Sequence, residues 1–258
     1  MTNNHEFTSF ELMPKVRIYQ GLLPDSDELY RIIKESESNN EGKYFFDKWT
    51  QWGLFGTYAN IAWERYFSGE PDAKTKEEKY VYDSVLEANE IAIEDYKKTY
   101  NVDLPETSRL DQPKFHKYDI GIDNMDNDLT MQYHTDYIIS ERDHPGPKFL
   151  LTCTTYINDD YEGGEIEFYV GDDFYPYKPK AGDVLVFPSD EPYYHGVKTI
   201  LKTNKFFTTN FVSYTYNGHP DWLENQRKYG AHHWSKMEIE RVDKENPTNM
   251  RYANRKPE

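Results

Sequence analysis

Two histidines and one aspartate in this chain are spaced so that they could share one point in space. In Tyr133-His134-Thr135-Asp136 the imidazole and the carboxylate stand two residues apart. On a strand, side chains two apart project to the same face. An imidazole beside a carboxylate suits a borderline divalent cation, although such a pair often arises by chance. His195 strengthens the case, 59 positions after Asp136 and just past the apolar run of DVLVFPSDEPYY. Two histidines and one carboxylate on one face of an octahedral iron leave three positions open, two for a chelating cosubstrate and one for O2. Taken alone, His195 equally fits a hydrogen-bonded loop histidine, and spacing does not decide between the two.

Lys205 is the fourth group, ten residues after His195 at the head of KFFTTNFVSYTY. Alternation puts Lys205 with Phe207, Thr209 and Phe211 on one face, and Phe206, Thr208 and Val212 on the other. An ammonium directed into an aromatic face is costly unless it meets an anion, and a bound dicarboxylate supplies one. An exposed strand-end lysine is the plainer alternative.

These groups need a frame, and the chain changes grammar near residue 105. Beyond it, FLLTCTTYIN (149–158), EIEFYV (165–170), DVLVFP (183–188) and KFFTTNFVSYTY (205–216) are rich in β-branched and aromatic residues. Asn158-Asp159-Asp160, Glu162-Gly163-Gly164 and Lys180-Ala181-Gly182-Asp183 separate them as turns. Short strands without intervening long helices predict an antiparallel sandwich or barrel. Gly163-Gly164 would let the chain reverse tightly between the strand ending at Asn158 and the one starting at Glu165.

Before residue 105 helical signals dominate. Pro24 and Asp25 precede Glu28, Leu29, Ile32 and Ile33, a capped start with one apolar face. Val81, Val85, Ala88, Ala92 and Tyr96 recur at three- and four-residue steps and predict a long amphipathic helix over 74–99. The aromatic stretch WTQWGLFGTYANIAWERYF between them reads as a packing layer in preference to a substrate wall. The expected division is a helical support region at 1–105, a β core at 106–217 and a polar extension at 218–258, all within one domain.

Composition narrows the function. With 30 basic and 46 acidic side chains, a formal charge of −16 opposes binding to phosphate backbones. Aromatics at 16% argue for a folded chain. Cys153 is the single cysteine, so no internal disulfide forms, and no apolar run approaches a membrane span. A cytoplasmic location is the expectation. His5, His116, His144, His219, His232 and His233 match no ligand spacing and read as surface or core residues. The acidic run DIGIDNMDND reads as a solvated loop.

From Tyr118 to Phe211 the chain resembles the 2-oxoglutarate/Fe(II) dioxygenases of the prolyl 4-hydroxylase type. The resemblance runs in order through Tyr118-x-x-Gly121, His134-Thr-Asp136, Thr152 to Asp159, Glu162-Gly-Gly-Glu165 with Phe168, Pro179 to Asp183 with Phe187, and His195-Gly196 leading to Lys205. Each piece is weak, and the ordered set is strong. It implies a mainly β chain with N-terminal helices (α+β) around a double-stranded β-helix, a cupin-like jelly roll. It assigns His134, Asp136 and His195 as iron ligands and Lys205 to the distal carboxylate of 2-oxoglutarate. Tyr156 would share that contact, Tyr118 would line the cosubstrate or substrate pocket, and the Thr154 and Thr152 hydroxyls would face the same cavity. Each tyrosine also fits a plain core position, and Cys153 should face away.

The cofactors implied are Fe(II), 2-oxoglutarate and O2, with ascorbate as an accessory reductant. The substrate implied is a prolyl residue in a peptide or protein, against a small molecule such as a free amino acid. Nucleic-acid demethylation and a metal-free jelly-roll binding module are the remaining alternatives. The stretch before Phe149 lacks the arginine often found there in the family, with Lys148 in its place, which bears on substrate contacts more than on iron.

Overall fold

The computed structural model describes residues 7–38, 49–52, 62–67, 75–105, 108–122, 128–136 and 148–214. The chain opens with strands β1 (Thr8–Met13) and β2 (Val16–Gln20) and helix α1 (Ser26–Glu35), followed by β3 (Thr50–Trp52), β4 (Ala62–Tyr66) and helix α2 (Lys76–Tyr100). Then come β5 (Arg109–Leu110), β6 (Lys114–Tyr118), β7 (Leu129–His134), β8 (Lys148–Tyr156), β9 (Glu162–Gly163) and β10 (Ile166–Val170). The last are β11 (Asp173–Tyr177), β12 (Val184–Pro188), β13 (Tyr194–Lys198), β14 (Ile200–Leu201) and β15 (Lys205–Tyr214).

Two antiparallel sheets face each other. The larger runs β1-β2-β12-β8-β15-β6-β4-β3, with β5 on the end of β15, and the smaller runs β11-β10-β13-β7. This is the antiparallel arrangement expected from the turn-separated strands, in the jelly-roll form that the resemblance implies. Alternation divides each strand between two cores. Ile18, Leu185, Phe187, Tyr156 and Phe207 of the large sheet meet Met131, Ile166, Phe168 and Val197 of the small one inside the barrel. On the other side of the large sheet, Val184, Val186, Cys153 and Phe206 pack against the helices through Leu29, Ile33, Val81 and Val85.

Helix α2 follows its apolar period, with Val81, Val85, Ala88, Ala92 and Tyr96 all buried. Thr75 caps its start by accepting from the Glu78 amide at 3.0 Å. Asn101 ends it in the left-handed conformation (φ 50) and returns its amide to the Lys97 carbonyl. Asn89 is the polar exception on this face, fully buried. Its amide donates to Asn210 Oδ1 at 2.8 Å, and its own oxygen accepts from Thr155 and from Cys153 Sγ. A fully partnered polar group is tolerated inside a core, and this one fixes α2 to β8 and β15.

Three expectations change. The region before residue 105 is not helical alone: β2 pairs with β12 and β4 with β6, so it extends the large sheet on both sides. Its strands are short, and their pairing is a long-range matter that local pattern does not carry. Asp25 is the N-cap of α1 but sits in the left-handed region (φ 53) and makes no side-chain cap. Gly163-Gly164 is a corner between sheets, because β8 lies in the large sheet and β10 in the small one. Both glycines have positive φ, and a Cβ on Gly163 would stand 2.1 Å from the Thr199 carbonyl oxygen. The aromatic stretch supplies packing through Trp49 and Phe67, while 53–61 lies outside the described residues. The polar extension 218–258, residues 123–127 of the DIGIDNMDND run, and His5, His144, His219, His232 and His233 also lie outside them.

Candidate active site

Within the barrel, β7 and β13 are neighbours, and their register sets His134 directly opposite His195. Asp136 lies two residues past the end of β7, where the chain has already left the ladder. The strand expected to carry both His134 and Asp136 therefore stops at the histidine, and a bend brings the carboxylate round. His195 was expected just beyond a strand; it sits inside one, β13. Its Nε2 is 3.8 Å from Asp136 Oδ2, and that of His134 is 3.6 Å from Oδ1. The three ligand atoms lie within 4.8 Å of one another. They form a donor set that one divalent ion could gather with small side-chain movement.

The supporting contacts fix which atoms face inward. His134 Nδ1 donates to the Gln132 carbonyl at 2.8 Å, and His195 Nδ1 donates to the Tyr193 carbonyl at 3.1 Å. Each ring thereby keeps its Nε2 lone pair for a metal. Thr152 on β8 donates to Asp136 Oδ2 at 2.6 Å and sits 2.9 Å from the Ser189 hydroxyl. These partners, two of them main-chain carbonyls, have no signature in the sequence.

The electrostatics suit a cation. Burial alone would raise the Asp136 carboxyl, but His195 and His134 beside it and the Thr152 hydroxyl hold it down at about 2. Burial pushes His195 down to about 4 against the pull of Asp136. Burial acts downward on His134 too, yet Asp136 and the Gln132 carbonyl raise it above its ordinary value. Around neutral pH the set offers an anionic carboxylate and a neutral His195, the forms that bind metal.

A cavity of about 150 Å³ connects this cluster to Lys205, with Tyr118, Thr152, Thr154, Tyr156 and Phe207 on its wall. Lys205, Phe207, Thr209 and Phe211 all face it, while Phe206 and Val212 face the helices, as alternation requires. Cys153 also faces the helices. Lys205 is 1% exposed. Its ammonium donates to the Gly164 carbonyl at 2.7 Å and stands 5.0 Å from the Tyr156 ring centroid and 5.7 Å from that of Phe207. Among the described residues it has no ion-pair partner. Burial, with Lys178 nearby, pushes it down to about 7. A lysine walled in by aromatic rings without a carboxylate is a site for an anion. Burial pushes the Tyr156 and Tyr118 hydroxyls up, so both stay protonated donors.

Three wall residues escaped the sequence reading: Glu64, Lys114 and His116. His116 was set aside as a surface or core residue. Its place two before Tyr118 was the available signal, since both must then face inward. Lys148 opens β8, and its side chain lies outside the described residues.

Residues 115–213 match the family model of the 2OG-Fe(II) oxygenase superfamily. No curated protein sequence is similar to the chain. Several solved structures share the fold. A Pseudomonas putida prolyl-4-hydroxylase superposes with a TM-score of 0.51 at 15% identity, covering 79% of this chain and 94% of its own. A Trichoplax adhaerens prolyl hydroxylase, solved with a hypoxia inducible factor oxygen degradation domain peptide fragment, gives 0.56 at 12% identity, over 78% and 84%. The viral collagen prolyl hydroxylase of Paramecium Bursaria Chlorella virus-1, in its 2OG complex, gives 0.52 at 16% identity, over 78% and 97%. Proteins of this superfamily work with Fe(II), 2-oxoglutarate and O2. The matched segment, residues 115–213, spans β6 to β15 and carries all four of the chemical groups first singled out, and over that segment the chain is similar to the 2OG-Fe(II) oxygenase superfamily.

Proposed function

We propose that His134, Asp136 and His195 hold Fe(II), that Lys205 anchors 2-oxoglutarate, and that the chain hydroxylates a prolyl residue in a peptide or protein. The observation that carries the site reading is the buried Lys205 ammonium, without an ion-pair partner among the described residues, on the wall of the cavity that holds the three metal donors. A dicarboxylate reaching from one to the other satisfies both. When bound, Fe(II) would supply the activation of O2, the oxidant, with one oxygen atom passing to succinate as 2-oxoglutarate loses CO2 and the other to the substrate's new hydroxyl.

The chain's own residues do the positioning. Asp136, fixed by Thr152, and the two imidazoles, fixed by main-chain carbonyls, would hold the ion through three donors that lie within 4.8 Å of one another. Lys205 pairs with the distal carboxylate, and the Tyr156 hydroxyl shares that contact. Tyr118 and Thr154 line the path between. The aromatic wall keeps water away from the cosubstrate. No side chain needs to act as a general acid or base.

The prolyl substrate is supported by the fold shared with the three prolyl hydroxylases, one of them solved with a peptide fragment. A small-molecule substrate such as a free amino acid is the second reading, and the polar cavity wall at Glu64, Lys114 and His116 favours it over an apolar ligand. The formal charge of −16 weighs against a nucleic acid. Among the described residues no helix is long and apolar enough to cross a membrane. Ascorbate as reductant and a cytoplasmic setting belong to the same reading, the latter resting on the single, buried Cys153. The one-domain division into support (1–105), core (106–217) and extension (218–258) is supported by β2 and β4, which are built into the core's own sheet.

The test is succinate formation from 2-oxoglutarate with Fe(II), with and without proline-containing peptides and free proline. Stimulation by a peptide that gains one oxygen on proline supports the reading. Turnover stimulated only by free proline moves it to the small-molecule substrate, and no 2-oxoglutarate turnover with iron bound returns the chain to a non-catalytic module.

A further inference from the structure

The proposed chemistry uses the β7/β13 side of the cavity and its Lys205 end, and leaves a third side unassigned. There, on the inner face of the large sheet, Glu64 of β4 pairs across the ladder with His116 of β6, and Lys114 lies two residues away on the same face. Glu64 Oε1 is 3.7 Å from Lys114 Nζ and 3.7 Å from His116 Nδ1, with the Glu64 side chain only 13% exposed. His116 stacks flat on Phe207, at 4.9 Å and 21°, so its position is tied to the floor of the cosubstrate path.

An ion pair on the flank of a cavity is not cheap. Two partly desolvated charges roughly break even at best, so fold stability gives little reason to keep them there. Their placement has a chemical meaning instead. The pair offers both signs side by side and is itself neutral. A substrate group with one net charge would leave the opposite member unmatched, and an apolar group would bury both. A stretch of peptide main chain, or the two ends of a free amino acid, matches it: a carbonyl or carboxylate oxygen accepts from Lys114, and a nitrogen-borne hydrogen is donated to Glu64. His116, stacked on Phe207 and held neutral by burial, stands beside the carboxylate without competing for charge.

We propose that Glu64 and Lys114, beside His116, form the substrate-reading subsite and take a main-chain acceptor and an N–H donor flanking the carbon that is hydroxylated: in a peptide the prolyl carbonyl and the N–H of the residue after it, since a prolyl nitrogen carries no hydrogen, and in a free amino acid its own carboxylate and ammonium. This rests on the dioxygenase reading above and deepens it. It also assigns a purpose to β4, which carries Glu64 from the N-terminal region to the edge of the active cavity.

The experiment uses the full chain with Fe(II) and 2-oxoglutarate, offered either a pooled peptide library or the set of free amino acids. A one-oxygen mass gain in one pool or the other identifies the source of the main-chain group. Kinetics with the accepted substrate are then measured for Glu64→Gln, Lys114→Met and the double exchange Glu64→Lys/Lys114→Glu. Each single change should raise the substrate KM about tenfold or more, with the 2-oxoglutarate KM as internal reference. The double exchange should recover melting temperature but not substrate KM, because an oriented donor–acceptor pair is reversed while a structural ion pair is restored. Unchanged substrate KM in the single variants, or recovery of both quantities in the exchange, would overturn the proposal. So would the lack of a mass gain in both pools while wild type still forms succinate. If wild type forms no succinate at all, it is the dioxygenase reading that fails.

Discussion

His134 and His195 are cross-strand partners: the ladder between β7 and β13 sets them face to face, with ring centroids 4.5 Å apart. Antiparallel pairing brings opposed side chains to within a few ångströms on one face of the sheet. The two imidazoles most distant in sequence are thus held by main-chain hydrogen bonds rather than by loops. The ladder shifts register immediately after His195, and such irregularities redirect side chains next to functional sites. Asp136, beyond the strand end, closes the triangle.

Removing a donor should remove the ion. His134→Ala is expected to abolish 2-oxoglutarate turnover and to lose tight Fe(II) or Mn(II) binding by titration. Thr152→Val keeps all three donors but frees Asp136 of its 2.6 Å hydrogen bond, and should weaken metal affinity about 10- to 100-fold. Equal affinity in Thr152→Val would show that the hydroxyl does not orient the carboxylate.

With Lys205 as the proposed anchor, 2-oxoglutarate binding should depend on pH. Its ammonium is lowered from 10.5 to about 7 by burial, whereas a dianion needs it charged. Above pH 7 a proton must be taken up on binding, so cosubstrate affinity should fall up to about tenfold per unit of pH. Lys205→Arg, always charged, should flatten that slope, and Lys205→Ala should raise the apparent KM for 2-oxoglutarate at every pH. The ligand-free protein shows the opposite trend. Between pH 7 and 10.5 the unfolded chain binds more protons at this site than the folded one, so this group's contribution to stability increases with pH. Titration calorimetry and thermal melts across pH 6–10 check both signs.

Asn89 should matter for stability and not for chemistry. Asn89→Ala strands the Asn210 side chain and the Thr155 hydroxyl in a sealed core, at a cost of about 1–3 kcal/mol. Denaturant unfolding should show that loss with the 2-oxoglutarate KM unmoved. A changed KM would mean that α2 positions the site as well as bracing the sheet.

Gly163 has no room for a side chain. With φ at 65° and a Cβ position 2.1 Å from the Thr199 carbonyl oxygen, Gly163→Ala should cost at least about 1 kcal/mol in backbone strain alone. The clash adds to that figure. Gly121, also at positive φ but with nothing within 4 Å, is the comparison, and its alanine variant should lose less. Melting temperatures of the two variants decide it.

By itself the sequence determined which side chains share a face. Lys205 with Phe207, Thr209 and Phe211, and Tyr156 with Thr154 and Thr152, follow from strand alternation, a local property of where Cβ points. The same holds for α2, whose apolar period named its buried residues. Tertiary structure alone decided which strands are neighbours. Nothing in YHGVK marks β13 as the partner of β7, and nothing in AWERY marks β4 as the neighbour of β6 that delivers Glu64 to the cavity. Strand pairing is made of main-chain hydrogen bonds, which are chemically alike at every residue. The meeting of His134 with His195, the carbonyls that aim their rings, and the Glu64–Lys114 pair therefore existed only once the sheets had closed on each other.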